Sequence, residues 1–357
     1  MFITGLGTAV PAQKFTQREC WEAFQESSGF ELLPNRSKAI LRKVLLGENG
    51  INSRYLCFDR LSEAFDLTPD TLHQRFARNA PILAAKACSN ALKESALPVE
   101  AIDALIISTC TGYLCPGLTS YVSEILGLNP AAQLFDLVGH GCGAAIPNLR
   151  TAEALVASGL AGNVLSVCVE ICSAALYLDD DPGVLVSACL FADAASAIVI
   201  SQKPQVYRGA RLEWLKDGCG SLLQPANRDL LRFETRHGML RNILSLEVPK
   251  LAAAAVYEVR QSVLSAVGLE PGDITEWVLH GGGKNVLDAI DARLELGAHS
   301  LRFSREILRE FGNISSPFVP FVLNRLLKDP VAAGHWYLST FGAGFSCHAG
   351  ILRVETA

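Results

Sequence analysis

The sequence predicts an α/β protein in which one β–α–β unit occurs twice and both copies share a core. Three observations lead there. Half of the 357 residues are hydrophobic and only 19% are charged, which suits one large core or two intimately packed domains. Four segments recur in one register at a spacing of about 170 residues. The apolar runs between them are near-continuous rather than alternating, the pattern of parallel strands covered by helices on both faces.

The elements follow in chain order. ALKESALPVEAIDALIISTCTG (91–112) reads as an amphipathic helix, an acidic turn, a short apolar strand and a small-residue loop. QSVLSAVGLEPGDITEWVLHGGG (261–283) repeats that order. GHGCGAAIPNLRTAEALVASG starts a helix near residue 143, and the strand NVLSVCVEI follows. Its counterpart FGNISSPFVPFVLNRLLKDP enters a helix from a small-residue turn, with HWYLSTF as the next strand. Both copies place proline in the first turns, where it costs no intrahelical bond. CLFADAASAIVIS and TFGAGFSCHAGILRV each read as strand, tight turn, strand. The polar, proline-containing SQKPQVYRGA (201–210) divides the chain into residues 1–205 and 206–357.

Composition excludes several classes of function. Net charge is −5 and no lysine- or arginine-rich run stands out, so neither nucleic acid nor a basic membrane-binding face is expected. No apolar run reaches the length of a transmembrane segment. MFITGLGTAVPAQ lacks the basic start of a signal peptide. The 11 cysteines are odd in number and show no framework spacing, which points to reduced thiols and a cytoplasmic protein. No His/Cys cluster has metal-ligand spacing, so no metal is expected.

The duplication also locates a site. Equivalent loops of a repeated α/β unit face each other, and ligands bind at strand ends and helix N-termini. Cys142, His280 and Asn313 should therefore converge, with Cys142 and Asn313 at matching helix entries. A helix N-terminus favours thiolate over thiol, and His280 could pair with that thiolate. Asn313 offers an uncharged donor for an oxygen that gains negative charge. These residue types serve thioester condensation with an enolate intermediate, and they serve a cysteine hydrolase equally well.

Motifs along essentially the whole chain resemble the thiolase superfamily and, within it, the chalcone synthase-like (type III) polyketide synthases. The most specific are GCGAAIPNLRTAEAL around Cys142, CLFADAASAIVI around Phe191, WVLHGGG around His280 and FGNISSP around Asn313. SRYL (53–56), STCTGYLCPG (108–117), SVCVEICS (166–173) and FGAG (341–344) support them. The resemblance implies the thiolase-like five-layered αβαβα fold, a homodimer, and coenzyme A thioesters as substrates with no bound cofactor. It implies that Cys142 accepts an acyl starter, and that His280 and Asn313 hold malonyl-CoA while it loses CO2. Phe191 falls at an aromatic gate. Cys110, Cys115, Cys172, Ala175, Leu244 and Ser315 fall on the substrate side, and Arg54, Arg42 and Lys43 near the stretch that binds coenzyme A.

Departures from the plant pattern bear on the substrate. FGAG replaces GFGPG, Gly281 rather than proline follows the histidine, and Cys110, Cys172 and Ala175 replace threonines. STCTG and VEICS look more like bacterial members, many of which make alkylpyrones, alkylresorcinols or tetrahydroxynaphthalene. A less polar pocket, with Leu244 as an added wall, points to an aliphatic starter, few extensions and a pyrone- or resorcinol-type product. The rivals are an initiating β-ketoacyl-acyl-carrier-protein synthase, which usually carries a His-Gln-Ala-Asn-like sequence at His280, a cysteine hydrolase, and a silent homologue acting as a partner subunit.

Overall fold

The computed structural model of the chain describes residues 1–297 and 299–356. The first half opens with β1 (Phe2–Ala9), β2 (Lys14–Thr16), α1 (Gln17–Glu26), α2 (Ser28–Leu32), α3 (Asn35–Leu46), β3 (Ser53–Tyr55) and the long α4 (Pro69–Ser95). It continues with β4 (Ala104–Thr109), α5 (Leu118–Leu126), β5 (Gln133–Val138), α6 (Ala145–Ala157), β6 (Asn163–Glu170), α7 (Pro182–Leu190) and β7 (Ala194–Ser201). The second half starts with β8 (Ala210–Leu223), β9 (Leu231–Arg236), β10 (Met239–Leu244) and α8 (Val248–Ala266). It ends with β11 (Ile274–Leu279), α9 (Lys284–Leu294), α10 (Arg302–Phe311), α11 (Phe318–Leu326), β12 (Gly334–Gly342) and β13 (Ser346–Thr356).

Nine strands form one hydrogen-bonded run in the order β11-β12-β13-β8-β1-β7-β6-β4-β5. The duplication is visible in its register. β4 and β6 are parallel, as are β11 and β12. β6–β7–β1 are antiparallel, as are β12–β13–β8. The halves meet where Phe2 and Ile3 of β1 pair with Glu213 and Leu212 of β8. Only β5, at the outer edge, lacks a counterpart. It alternates inward and outward residues, whereas β4 and β7 are buried throughout.

Helices complete the layers. α4 covers β1, β6 and β7 from outside, and α8 covers β8 and β13. α6 packs on β4 and β6 of one half and on β12 and β13 of the other; α11 packs on β1, β7, β11 and β12. These two helices, the repeats read from sequence, form the central layer of the five-layered αβαβα arrangement. α6 is anchored by buried Asn148, whose Nδ2 donates to Ser108 Oγ (2.8 Å) and the Val167 carbonyl (2.9 Å) and whose Oδ1 accepts from Ser166 Oγ (2.8 Å). One expectation fails: CLF ends helix α7 rather than a strand. The Asp181 carboxylate accepts the Gly183 and Val184 amides and Pro182 fits the first turn. The helix is apolar and buried on nearly every side, so its sequence carries no helical periodicity.

Candidate active site

Cys142 sits in a single 3₁₀ turn, Gly141–Gly143, that leads into α6. Gly141 takes φ +55, a left-handed conformation that glycine adopts without strain. The turn rests against the end of β12. A Cβ on Gly342 would collide with the Gly143 amide and the His140 carbonyl and lie 3.1 Å from the Cys142 nitrogen. Ser315 Oγ donates to Cys142 Sγ at 3.2 Å. Ser315 holds φ +57, an uncommon conformation for a non-glycine residue.

His280 follows β11, with its amide on the Ser339 carbonyl (3.0 Å). Its ring is boxed edge-on by Phe318 and Phe341, at centroid distances of 5.2 and 4.9 Å. Both ring nitrogens are buried without a partner. Burial pushes the imidazole down to about 3, so it is neutral at physiological pH. Asn313 lies in the turn before α11. Its Oδ1 accepts the Ser315 amide (2.9 Å), which fixes the orientation of the side-chain amide, and its Nδ2 donates to the Gly282 carbonyl (3.0 Å). One N–H of Nδ2 remains free.

Cys142, His280 and Asn313 line one tunnel, together with Phe191, Leu231, Leu244, Gly282 and Phe341. Arg36, Lys43 and Lys284 stand along the same tunnel. A second, largely apolar cavity adjoins it. Cys142 and Phe191 border both spaces. Cys110, Cys172, Ala175 and Ser315 line the cavity, and it runs on past Cys20, Ala23, Phe24, Leu61, Ala64 and Phe65 beneath α1. The Phe191 backbone is tied to the Asn313 turn: the Asn313 amide donates to the Leu190 carbonyl (2.9 Å) and the Ala192 amide to the Asn313 carbonyl (3.0 Å).

Several expectations need correction. The surroundings of Cys142 work against a resting thiolate. Burial pushes its thiol up to about 12, the Ser315 hydrogen bond opposes this, and the nearby Glu170 carboxylate adds to it. Burial likewise favours the neutral form of His280, which works against the expected ion pair. Leu244 lines the tunnel and not the cavity, because β10 carries Asn242 to the cavity wall instead. Arg54 is 4% exposed on the cavity side. Its Nε donates to Gln17 Oε1, and its Nη1 to the Ala188 and Phe191 carbonyls, so it anchors the gate segment and lies away from the tunnel wall. Lys43 is at the tunnel, but Arg42 points from α3 to solvent. Cys115 is exposed and borders neither space.

Sequence reasoning missed Arg36 and Lys284, which no motif marks, and Glu170, which lies inside the quoted SVCVEICS. The buried Glu170 carboxylate accepts from the Cys110 amide (3.0 Å), Thr111 Oγ1 (2.9 Å) and Ser316 Oγ (2.6 Å). It thereby joins the loop after β4 to the turn that carries Asn313 and Ser315. Burial raises its pKa above the usual carboxylate value.

Comparison with known proteins agrees with this geometry. The chalcone and stilbene synthase N-terminal domain family matches residues 1–204, and its C-terminal domain family matches residues 225–355. The 3,5-dihydroxyphenylacetyl-CoA synthase of Amycolatopsis balhimycina is 30% identical over 98% of this chain and 92% of its own. The synthase of that name from Streptomyces toyocaensis is 28% identical over 98% and 89%. Among solved structures, PKS-I of the brown alga Ectocarpus siliculosus superposes with a TM-score of 0.89 at 23% identity, covering 99% of this chain and 97% of that one. The 1,3,6,8-tetrahydroxynaphthalene synthase of Streptomyces coelicolor gives 0.83 at 23% identity over 100% of both chains. These structural likenesses confirm the thiolase-like fold. The whole-length match decides against the carrier-protein synthase and hydrolase readings: the chain belongs to the chalcone and stilbene synthase family and is a type III polyketide synthase, an acyltransferase-type condensing enzyme.

Proposed function

We propose that Cys142 carries the growing acyl chain and that His280 and Asn313 activate malonyl-CoA. The observation that supports this most is that all three line the tunnel while Cys142 alone of them also lines the apolar cavity. A starter thioester enters by the tunnel. As Cys142 Sγ attacks its carbonyl, the thiol proton passes to His280 and then to the departing coenzyme A sulfur. Malonyl-CoA follows. Its carboxylate leaves as CO2, and the electron pair left behind forms an enolate on the thioester oxygen. The neutral His280 N–H and the free Asn313 N–H donate to that oxygen. The enolate carbon attacks the Cys142 thioester, the Cys142 thiolate departs, and the chain is two carbons longer on coenzyme A. Arg36, Lys43 and Lys284 meet the phosphates at the tunnel, replacing the Arg54 and Arg42 expected from sequence.

The starter is aliphatic in this reading. The cavity continues from Cys142 along apolar and small side chains to Ala23 and Ala64, a shape suited to an alkyl tail. A dihydroxyphenyl product names the bacterial relatives, which supports resorcinol-type closure here beside the pyrone alternative. Incubation with a panel of acyl-CoA starters and malonyl-CoA should yield alkylated pyrones or resorcinols; turnover of aromatic or malonyl starters alone would overturn the assignment.

We further propose a cytoplasmic homodimer in which residues 1–205 and 206–357 form the two halves of each protomer. All 11 cysteines are free, and no helix among the described residues is long and apolar enough to cross a membrane. The free edge of β5 exposes Leu134 and Val138, beside Tyr121 and Ile125 of α5. Such an edge invites pairing with a second copy. Cys115 belongs to the same surface, on the loop whose Gly117 packs against Asp136 of β5.

A further inference from the structure

We propose that the tunnel mouth is a docking surface for an acidic acyl carrier protein that delivers its thioester on a phosphopantetheine arm, an inference that rests on Cys142 being the acyl acceptor. Helix α3 carries Arg36, Lys38, Arg42 and Lys43 and no acidic residue, in a chain whose net charge is −5. Glu48, just past the helix, is the one acidic residue among the described residues lining the tunnel, against Arg36, Lys43 and Lys284. None of the ion pairs among the described residues involves α3 or Lys284. Arg36 and Lys43, two helical turns apart, face the tunnel, whereas Arg42 and Leu46, one turn apart, face solvent beside it.

Coenzyme A accounts for only part of this surface. Its phosphates need the cations at the tunnel, which Arg36, Lys43 and Lys284 supply. They do not need Arg42, outside the tunnel wall, nor an apolar rim. Yet Leu246, which lines the mouth, is 89% exposed, and Leu46 is 40% exposed. Unpaired cations set around bare leucines complement a partner with an acidic, partly apolar helical face. The pantetheine arm is common to coenzyme A and to a carrier protein, so one tunnel serves both. Only the surface outside the mouth distinguishes them. The sequence already holds four of these cations within RSKAILRK (36–43), and the fold sets Lys284 beside them at the tunnel.

The test compares acylation of Cys142 by an octanoyl group on a purified bacterial fatty-acid carrier protein with acylation by octanoyl-CoA, followed by intact-protein mass spectrometry. In the native protein the carrier thioester should acylate Cys142, with a rate that falls steeply as salt rises. Arg42→Glu should slow the carrier-dependent rate by about tenfold and leave the octanoyl-CoA rate within about twofold. No acylation from the carrier, or an equal effect of Arg42→Glu on both donors, would overturn the docking proposal. Acylation from the carrier but not from octanoyl-CoA would support docking and remove octanoyl-CoA as a starter. Failure of both donors would remove docking and the aliphatic starter together, and acylation of Cys142 by another acyl-CoA would still stand for its role.

Discussion

Burial pushes the Cys142 thiol up to about 12 and the His280 imidazole down to about 3, so the protein favours the neutral form of each. In the proposed mechanism the chemistry therefore begins with proton transfer, not with a standing thiolate. Alkylation of Cys142 by iodoacetamide, followed on its own peptide, should rise about tenfold per pH unit from pH 7 to 9. A thiolate–imidazolium pair would give instead a rate flat across that range. Removing a neutral donor should cost transition-state stabilisation: Asn313→Ala should lower malonyl-CoA decarboxylation by about 10²–10³-fold, read as CO2 release. His280→Ala should cripple the same step. The triad residues were legible because duplication brings three individually ambiguous positions together. Their charge state was not, because it depends on Phe318, Phe341 and the depth of burial, which no local motif records. Arg54 shows the same limit. Its SRYL motif is plain in the sequence, yet only the fold shows the guanidinium spent on carbonyls at the end of α7.

At the scale of elements, two matched helix entries place Cys142 and Asn313. α6 and α11 each pack on strands of both half-sheets, so the turns that precede them have little freedom. Asn148 is the polar pin of α6. Asn148→Ala should leave Ser108 and Ser166 without this partner and lower stability by about 1–3 kcal/mol, seen as a lower urea midpoint. An unchanged midpoint would mean that water replaces the lost bonds. The repeat predicted these helices and the strands beside them from apolar pattern and proline position. It misread the segment that became α7, since a fully buried helix and a buried strand present the same unbroken apolar run. The tunnel and the separate cavity were also beyond sequence, because they arise between β10, α3, α7 and the loop after β11. That is why Leu244 lines one space and Asn242 the other.

For the whole molecule, joining two half-sheets through β1 and β8 leaves β5 as the outer edge of the first half. Replacing Leu134 and Val138 together by aspartate should shift the protein from dimer to monomer in analytical ultracentrifugation, with the fold retained by circular dichroism. A native protein that sediments as a monomer would remove the proposed interface. In the proposed mechanism the two halves divide the work: the first supplies the sulfur and most of the cavity, and the second supplies the donors at the tunnel wall. That division is tested most directly by mass spectrometry of the Cys142 peptide after incubation with an acyl-CoA starter, alongside CO2 release from malonyl-CoA. The native protein should carry the acyl group on Cys142. Cys142→Ala should carry none while still releasing CO2, and His280→Ala should release little. An acylated Cys142→Ala protein would contradict the account.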